Sequence, residues 1–116
     1  MNVYDLAHQL ARALSEAPEY LEFKKAVEEL NRDPQARDML RDLKTRQLQV
    51  EALKLSGKPV DEETLKSLEN LYNIVIYNSL IKKYLEAEAR FAVLMTDIQN
   101  IIAKAVDLDL IEPSHN

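Results

Sequence analysis

Residues 80–108 read LIKKYLEAEARFAVLMTDIQNIIAKAVDL, and the spacing of their apolar side chains decides the fold. Steps of four and three residues separate the members of one ridge, which are Leu80, Tyr84, Ala87, Phe91, Leu94, Ile98, Ile101, Ala105 and Leu108. This spacing predicts one long amphipathic helix. A second ridge beside it makes the apolar face too wide for a simple two-stranded coiled coil; its members are Ile81, Leu85, Ala92, Met95, Ile102 and Val106.

The length of this helix predicts that the chain associates with itself. A straight helix over 80–108 would be roughly 43 Å long, whereas a compact domain of this size is about 35 Å across. Either the bundle is elongated, or a second copy covers the stripe, and the double ridge favours the second copy. We expect a homo-oligomer, a dimer first and a tetramer as the alternative. The predicted interface residues are Leu80, Tyr84, Ala87, Phe91, Leu94, Met95, Ile98, Ile101 and Ile102.

Upstream, prolines, polar caps and one glycine divide the chain into further helices. Val3, Leu6, Leu10 and Leu14 predict a one-sided first helix, and Pro18 opens a second. Asp33 before Pro34 is a capping pair for a third helix, and Gly57 ends it.

After Gly57, Asp61 is suited to cap a fourth helix. The sequence leaves open whether this helix continues through Asn78-Ser79 into the last one. The predicted fold is an all-α, elongated, oligomeric bundle of four to five helices, with long antiparallel helices at the C-terminal end. Residues 1–110 form one domain, and 111–116 form a short tail.

Composition excludes several classes of protein. The 116 residues include no cysteine, which excludes disulfides, Cys-ligated metal sites and a Cys nucleophile. Fifteen Lys and Arg against 20 Asp and Glu give a net charge of -5, which disfavours nucleic acid and acidic membranes as partners. The longest uncharged stretch, Asn70 to Ile81, falls short of the ~20 apolar residues of a membrane helix. With no export signal at the N-terminus, we expect a cytoplasmic protein.

No spacing in the chain matches a catalytic or cofactor motif. Asp5 and His8 could place two metal ligands on one helix face, but a solvated face is the favoured interpretation. We therefore predict no metal, no cofactor and no enzymatic activity. Glu88 lies on the second apolar ridge and is predicted to be a structural buried acid, paired with an Arg or Lys of the third helix.

The third helix carries a group of basic residues, Arg37, Arg41, Lys44 and Arg46. Acidic residues are interleaved among them, and no aromatic residue stands there to stack on a base. We interpret this face as a solvated surface for an unidentified protein partner. Direct contact with RNA is the alternative interpretation.

Three segments carry a family resemblance: Asn2-Val3-Tyr4-Asp5-Leu6-Ala7, Asn31-Arg32-Asp33-Pro34-Gln35-Ala36 and Tyr84-Leu85-Glu86-Ala87-Glu88-Ala89-Arg90-Phe91. In order and spacing they resemble the YlbF/YmcA-type family (Com_YlbF) of small helical bacterial proteins, and most of all its YheA-like branch. The resemblance covers about Val3 to Leu110.

The resemblance implies an all-α, oligomeric, cytoplasmic protein that regulates through protein interactions and has no enzymatic activity of its own. Better-studied branches act in competence, sporulation and biofilm control, in a complex that influences an RNase Y-type endoribonuclease and so mRNA processing. Those branches carry cysteines associated with an iron–sulfur-bearing complex, and this chain has none.

Overall fold

The computed structural model describes residues 2–107, which form five α-helices and no strand. The helices are α1 (Val3–Ser15), α2 (Pro18–Asn31), α3 (Pro34–Leu55), α4 (Glu62–Val75) and α5 (Ser79–Val106). The prediction of an all-α fold is confirmed. Leu108, the last two positions of the predicted domain and the predicted tail 111–116 lie outside the described residues.

Capping side chains begin α3 and α4 at the positions that the sequence predicted. The Ala36 amide donates to Oδ1 of Asp33 at 3.1 Å, with Pro34 in the first turn. The Thr64 amide donates to Oδ1 of Asp61 at 2.7 Å, and hydrogen bonding from Thr64 lowers the pKa of the Asp61 carboxyl. Each carboxylate thus satisfies a backbone N–H that has no partner within its helix. Between these helices, Gly57 turns the chain in the left-handed region, with φ of 76°.

The last two helices are separate, which answers the question left open by the sequence. Helix α4 ends at Val75, and the Asn78 side chain caps α5. Its Oδ1 accepts hydrogen bonds from the amides of Leu80 at 3.0 Å and Ile81 at 3.2 Å. The β-branched residues before Asn78 therefore end α4, at Ile74 and Val75, and begin the turn, at Ile76.

The helices pack as two antiparallel pairs, α2 with α5 and α3 with α4. The long helix α5 thus takes α2 as its antiparallel neighbour, while the shorter α4 lies along α3. Phe23 of α2 packs between two rings of α5, with centroids 5.4 Å from Tyr84 and 5.6 Å from Phe91. A buried cluster joins the two pairs and comprises Leu30, Ala36, Leu40, Leu43, Val75 and Ile81.

The molecule is flat. Its principal extents are 52 × 41 × 15 Å and its radius of gyration is 18.5 Å, whereas a compact chain of this length has about 13 Å. The 15 Å extent is less than half of either of the other two. Helix α1 buries none of its residues. The described helices therefore form a flat arrangement that leaves much apolar surface exposed.

Candidate functional site

Three polar side chains converge where α3 meets α5. Lys44 Nζ donates to both carboxylate oxygens of Glu88, at 2.7 Å each. The Tyr84 hydroxyl donates to Oε2 of Glu88 at 2.9 Å, and the Lys44 ammonium lies 5.4 Å from the centroid of the Tyr84 ring. We call this group the Lys44–Glu88–Tyr84 cluster. The cation comes from the third helix, as predicted. Glu88 was predicted to be buried, but its side chain is half-buried, with 34% of its surface exposed.

Helix geometry explains how the cluster forms. Tyr84 and Glu88 are four residues apart, so they lie one above the other on the same face of α5. Lys44 reaches them across the helix contact with an aliphatic stem and an ammonium that can donate three hydrogen bonds. The spacing of Tyr84 and Glu88 is visible in the sequence, but the role of the tyrosine was missed because its place on the apolar ridge suggested packing alone.

Within the cluster, the Tyr84 side chain stays in its neutral phenol form. Burial, the hydrogen bond to Glu88 and the charge of that carboxylate together raise the pKa of Tyr84 to about 12. At neutral pH the hydroxyl therefore remains a donor and is no nucleophile. Glu88 accepts hydrogen bonds from both Lys44 and Tyr84, and this arrangement suits a structural contact that holds α3 against α5.

The basic face of α3 is partly neutralised by carboxylates of the same helix. Arg37 Nε lies 3.7 Å, and Arg41 Nη1 3.9 Å, from Oδ1 of Asp38. Arg46 Nε donates to Oδ1 of Asp42 at 3.2 Å. Such exposed pairs contribute only about 0.2–1 kcal/mol each, but they reduce the positive field that a polyanion would meet. Of the four predicted surface residues, Lys44 is instead engaged in the cluster.

A cleft lies between α3 and α4 and holds about 390 Å³. Val50 and Leu53 of α3 and Leu68 of α4 line it, and Arg46 Nη1 donates across it to Oγ of Ser67 at 3.2 Å. The lining is mixed, because Gln49, Glu63 and Thr64 stand beside these apolar residues.

The predicted oligomer interface divides into two parts. In the first, Ala87 is 3% exposed within the single chain, and the Phe91 ring packs 5.6 Å from that of Tyr20. Leu80 and Tyr84 also pack on the buried cluster. In the second, Leu94, Met95 and Ile98 are half-buried, and Ile101 and Ile102 are exposed. The chain itself thus covers the stripe up to Phe91, covers it in part as far as Ile98, and leaves Ile101 and Ile102 exposed.

Helix α1 presents a further apolar surface, because Val3, Tyr4, Leu6 and Leu10 are all exposed. Its one-sided spacing was evident from the sequence, but which helix would cover it was not. Asp5 and His8 lie on the same exposed helix. Among residues 2–107 no group of three or more His, Cys, Asp or Glu is placed to hold a metal ion.

Within the described part of the chain, no helix is both long and apolar enough to cross a membrane. The chain resembles a solved protein of unknown function (DUF964) from Bacillus stearothermophilus, with a TM-score of 0.80 at 18% identity, over 97% of this chain and 98% of that one. This likeness establishes the fold alone.

Comparisons of sequence establish the family. A UPF0342 protein of Symbiobacterium thermophilum is 44% identical over 93% of this chain and 96% of its own length. A UPF0342 protein of Caldicellulosiruptor saccharolyticus is 42% identical over 92% of this chain and 89% of its own. The family model described as "Control of competence regulator ComK, YlbF/YmcA" matches residues 3–107. The chain therefore belongs to the YlbF/YmcA (Com_YlbF) family, which is linked to control of a competence regulator.

Proposed function

We propose that this chain is a non-catalytic, cytoplasmic adaptor that works as a homo-oligomer and binds a protein partner. The observation that carries the proposal is how the surface is divided. Large apolar side chains of α1 and of α5 beyond Phe91 are exposed, whereas the converging polar groups Lys44, Glu88 and Tyr84 bond to one another. Exposed apolar stripes of this kind are typical of association surfaces.

The regulatory role follows by analogy with the family, since fold alone does not give function. The family description names control of a competence regulator. We extend this to competence, sporulation, biofilm or mRNA-processing control, exerted through contact with a protein. The surface that we assign to this partner is the outer face of α3 with Arg37, Arg41 and Arg46, where charges of both signs alternate as at a polar interface rim.

Self-association is tested by light scattering of the purified protein over a concentration series. We expect a stable dimer of the 13.4 kDa chain, or a tetramer. A monomer at every concentration would contradict the oligomeric part of the proposal and would leave the apolar stripes to a different protein.

Partner binding is tested by crosslinking in the source cell, with this chain as bait. We expect one protein to be captured by the wild type and by a Lys58→Glu control, and lost with Arg37→Glu/Arg41→Glu. Deleting that protein should reproduce the effect of deleting this chain. Capture unchanged by the double variant would contradict the assignment of the α3 face.

The alternative function is an RNA-associated regulator that uses Arg37, Arg41, Lys44 and Arg46. The carboxylates beside these cations and the net charge of -5 weigh against it. Affinity for single-stranded RNA that falls steeply with salt would support it, because each phosphate contact releases counterions. Absence of binding at low salt would eliminate it. An enzymatic turnover abolished by Glu88→Gln, with stability and oligomer intact, would overturn the non-catalytic proposal.

A further inference from the structure

The C-terminal part of α5 carries an apolar stripe that runs past the end of its neighbour. We call it the 94–106 stripe; its members are Leu94, Met95, Ile98, Ile101, Ile102 and Val106. Tyr20, in the first turn of α2, packs on Phe91, so α2 covers α5 only to about that residue. Beyond it, Ile101 is 68% exposed and Val106 is 55% exposed.

Charged residues recur along one flank of α5. Arg90, Asp97 and Lys104 are seven residues apart, which is nearly two helical turns, so they share one side of the stripe. Where α2 packs antiparallel on α5, Arg90 Nη2 lies 3.3 Å from Oε2 of Glu22. This flank is therefore within ion-pair reach of an antiparallel helix seated on the stripe. In the described part of the chain, neither Asp97 nor Lys104 has a carboxylate or cation within ion-pair distance.

We propose that a second copy of this chain covers the 94–106 stripe, with the two α5 helices antiparallel and Asp97 of each copy facing Lys104 of the other. In a two-fold symmetric interface every contact occurs twice, so a surface must complement itself. One acidic and one basic residue on the same flank meet this requirement. The two-fold axis then passes midway between positions 97 and 104, beside Ile101.

The opposite orientation lacks this complementarity. In a parallel two-fold pair the flank with Asp97 and Lys104 would instead face the opposite flank of the partner helix, where Gln99 and Ala103 offer no charge to pair with. The antiparallel pair also covers apolar side chains of α5, such as Ile101 and Ile102, that a single copy leaves exposed. The inference rests on the homo-oligomer of the proposed function and specifies its contact.

Single cysteines test the position of the axis, because the chain contains none of its own. Ile101→Cys should yield a covalent dimer on mild oxidation or with a short bismaleimide, since disulfides need Cα atoms within about 7 Å. Tyr77→Cys is the matched control: it is 89% exposed but lies in the turn between α4 and α5. Equal crosslinking of the two variants, or none with Ile101→Cys, would overturn the proposed contact.

Charge exchange tests the register. Asp97→Lys and Lys104→Asp should each raise the dissociation constant of the dimer about tenfold or more, because both flank pairs become repulsive. An equimolar mixture of the two variants, and the double variant Asp97→Lys/Lys104→Asp, should each restore association. Lys66→Asp, which makes the same charge change on the exposed surface of α4, should leave it unchanged.

The outcomes separate this inference from the proposed function. A monomeric wild type would refute both. A wild-type dimer that ignores the charge exchanges and does not crosslink through Ile101→Cys would keep the homo-oligomer and refute this contact, and crosslinks from the stripe to α1 would then identify α1 as the occupant. If a charge variant loses its helical circular dichroism, it is unfolded, and crosslinking of the folded Ile101→Cys protein then decides whether the α5–α5 contact exists.

Discussion

Tyr84 and Glu88 lie one helical turn apart on α5, and the tyrosine hydroxyl donates to Oε2 of Glu88 at 2.9 Å. The same carboxylate receives the Lys44 ammonium from α3. Two helices distant in sequence are thus joined at a carboxylate whose side chain is about one-third exposed. The predictions that follow from this relationship can be checked on the purified protein.

Tyr84→Phe should lower the free energy of unfolding by about 1 kcal/mol, because it removes one hydrogen bond to a charged group and keeps the ring. Urea unfolding followed by circular dichroism measures the change. Tyr77→Phe is the control, since that ring is exposed. If Tyr84→Phe lowered the free energy of unfolding no more than Tyr77→Phe does, the hydrogen bond would contribute nothing to stability.

The five tyrosines should not titrate together. Tyr84, with a pKa of about 12 against an ordinary 10.0, should ionise last because burial and Glu88 disfavour its phenolate. A pKa raised in the folded state contributes stability that is complete below pH 10.0 and is lost as the pH rises towards about 12. Ultraviolet titration of wild type against Tyr84→Phe checks this, and the difference should be one late step. If the ionisation step missing from Tyr84→Phe fell near pH 10.0 instead, the raised pKa of Tyr84 would be contradicted.

Lys44 and Glu88 should be energetically coupled. A double-mutant cycle with Lys44→Met and Glu88→Gln should give a coupling energy of about 1 kcal/mol, at the upper end for an exposed pair because both side chains are partly buried. Thermal or urea unfolding of the four proteins gives the cycle. The exposed pair Arg46 and Asp42 provides the comparison and should give less. Equal coupling energies in the two pairs would mean that partial burial does not strengthen the Lys44–Glu88 interaction.

Aspartate substitutions should separate folding from assembly. Phe91→Asp should unfold the chain or destabilise it by several kcal/mol, because its ring packs on Tyr20 and Phe23 inside one copy. Ile98→Asp lies beyond α2 and should mainly weaken the oligomer. Circular dichroism reports the first effect and light scattering the second. An unchanged mass for a folded Ile98→Asp protein would contradict an interface at this stripe.

The starts of α3 and α4 could be predicted from single residues. Asp33 with Pro34 and Asp61 act through hydrogen bonds to amides three residues ahead, so their effect does not depend on distant parts of the chain. The same locality made the long amphipathic helix certain, since its two ridges follow from spacing alone.

Which helices pair could not be predicted in the same way. The stripe of α5 fits any apolar partner, and its choice of α2 depends on rings such as Phe23, which lies 61 positions before Tyr84. The cluster shows the same limit. Glu88 was expected to find a cation on α3, but several basic residues there were equivalent in sequence, and only the helix crossing selected Lys44.

Capping and amphipathic spacing are local properties of a few consecutive residues, so the starts of α3 and α4 and the long amphipathic helix could be predicted from sequence, whereas the break between α4 and α5 could not. The family resemblance likewise depends on three short segments. Only helix packing shows that α2 covers the stripe up to Phe91 within the chain, whereas Ile101 and Val106 at its far end are exposed. The physical reason is length: α2 begins at Pro18 and cannot cover the whole of α5, so one continuous apolar pattern becomes part core and part exposed surface.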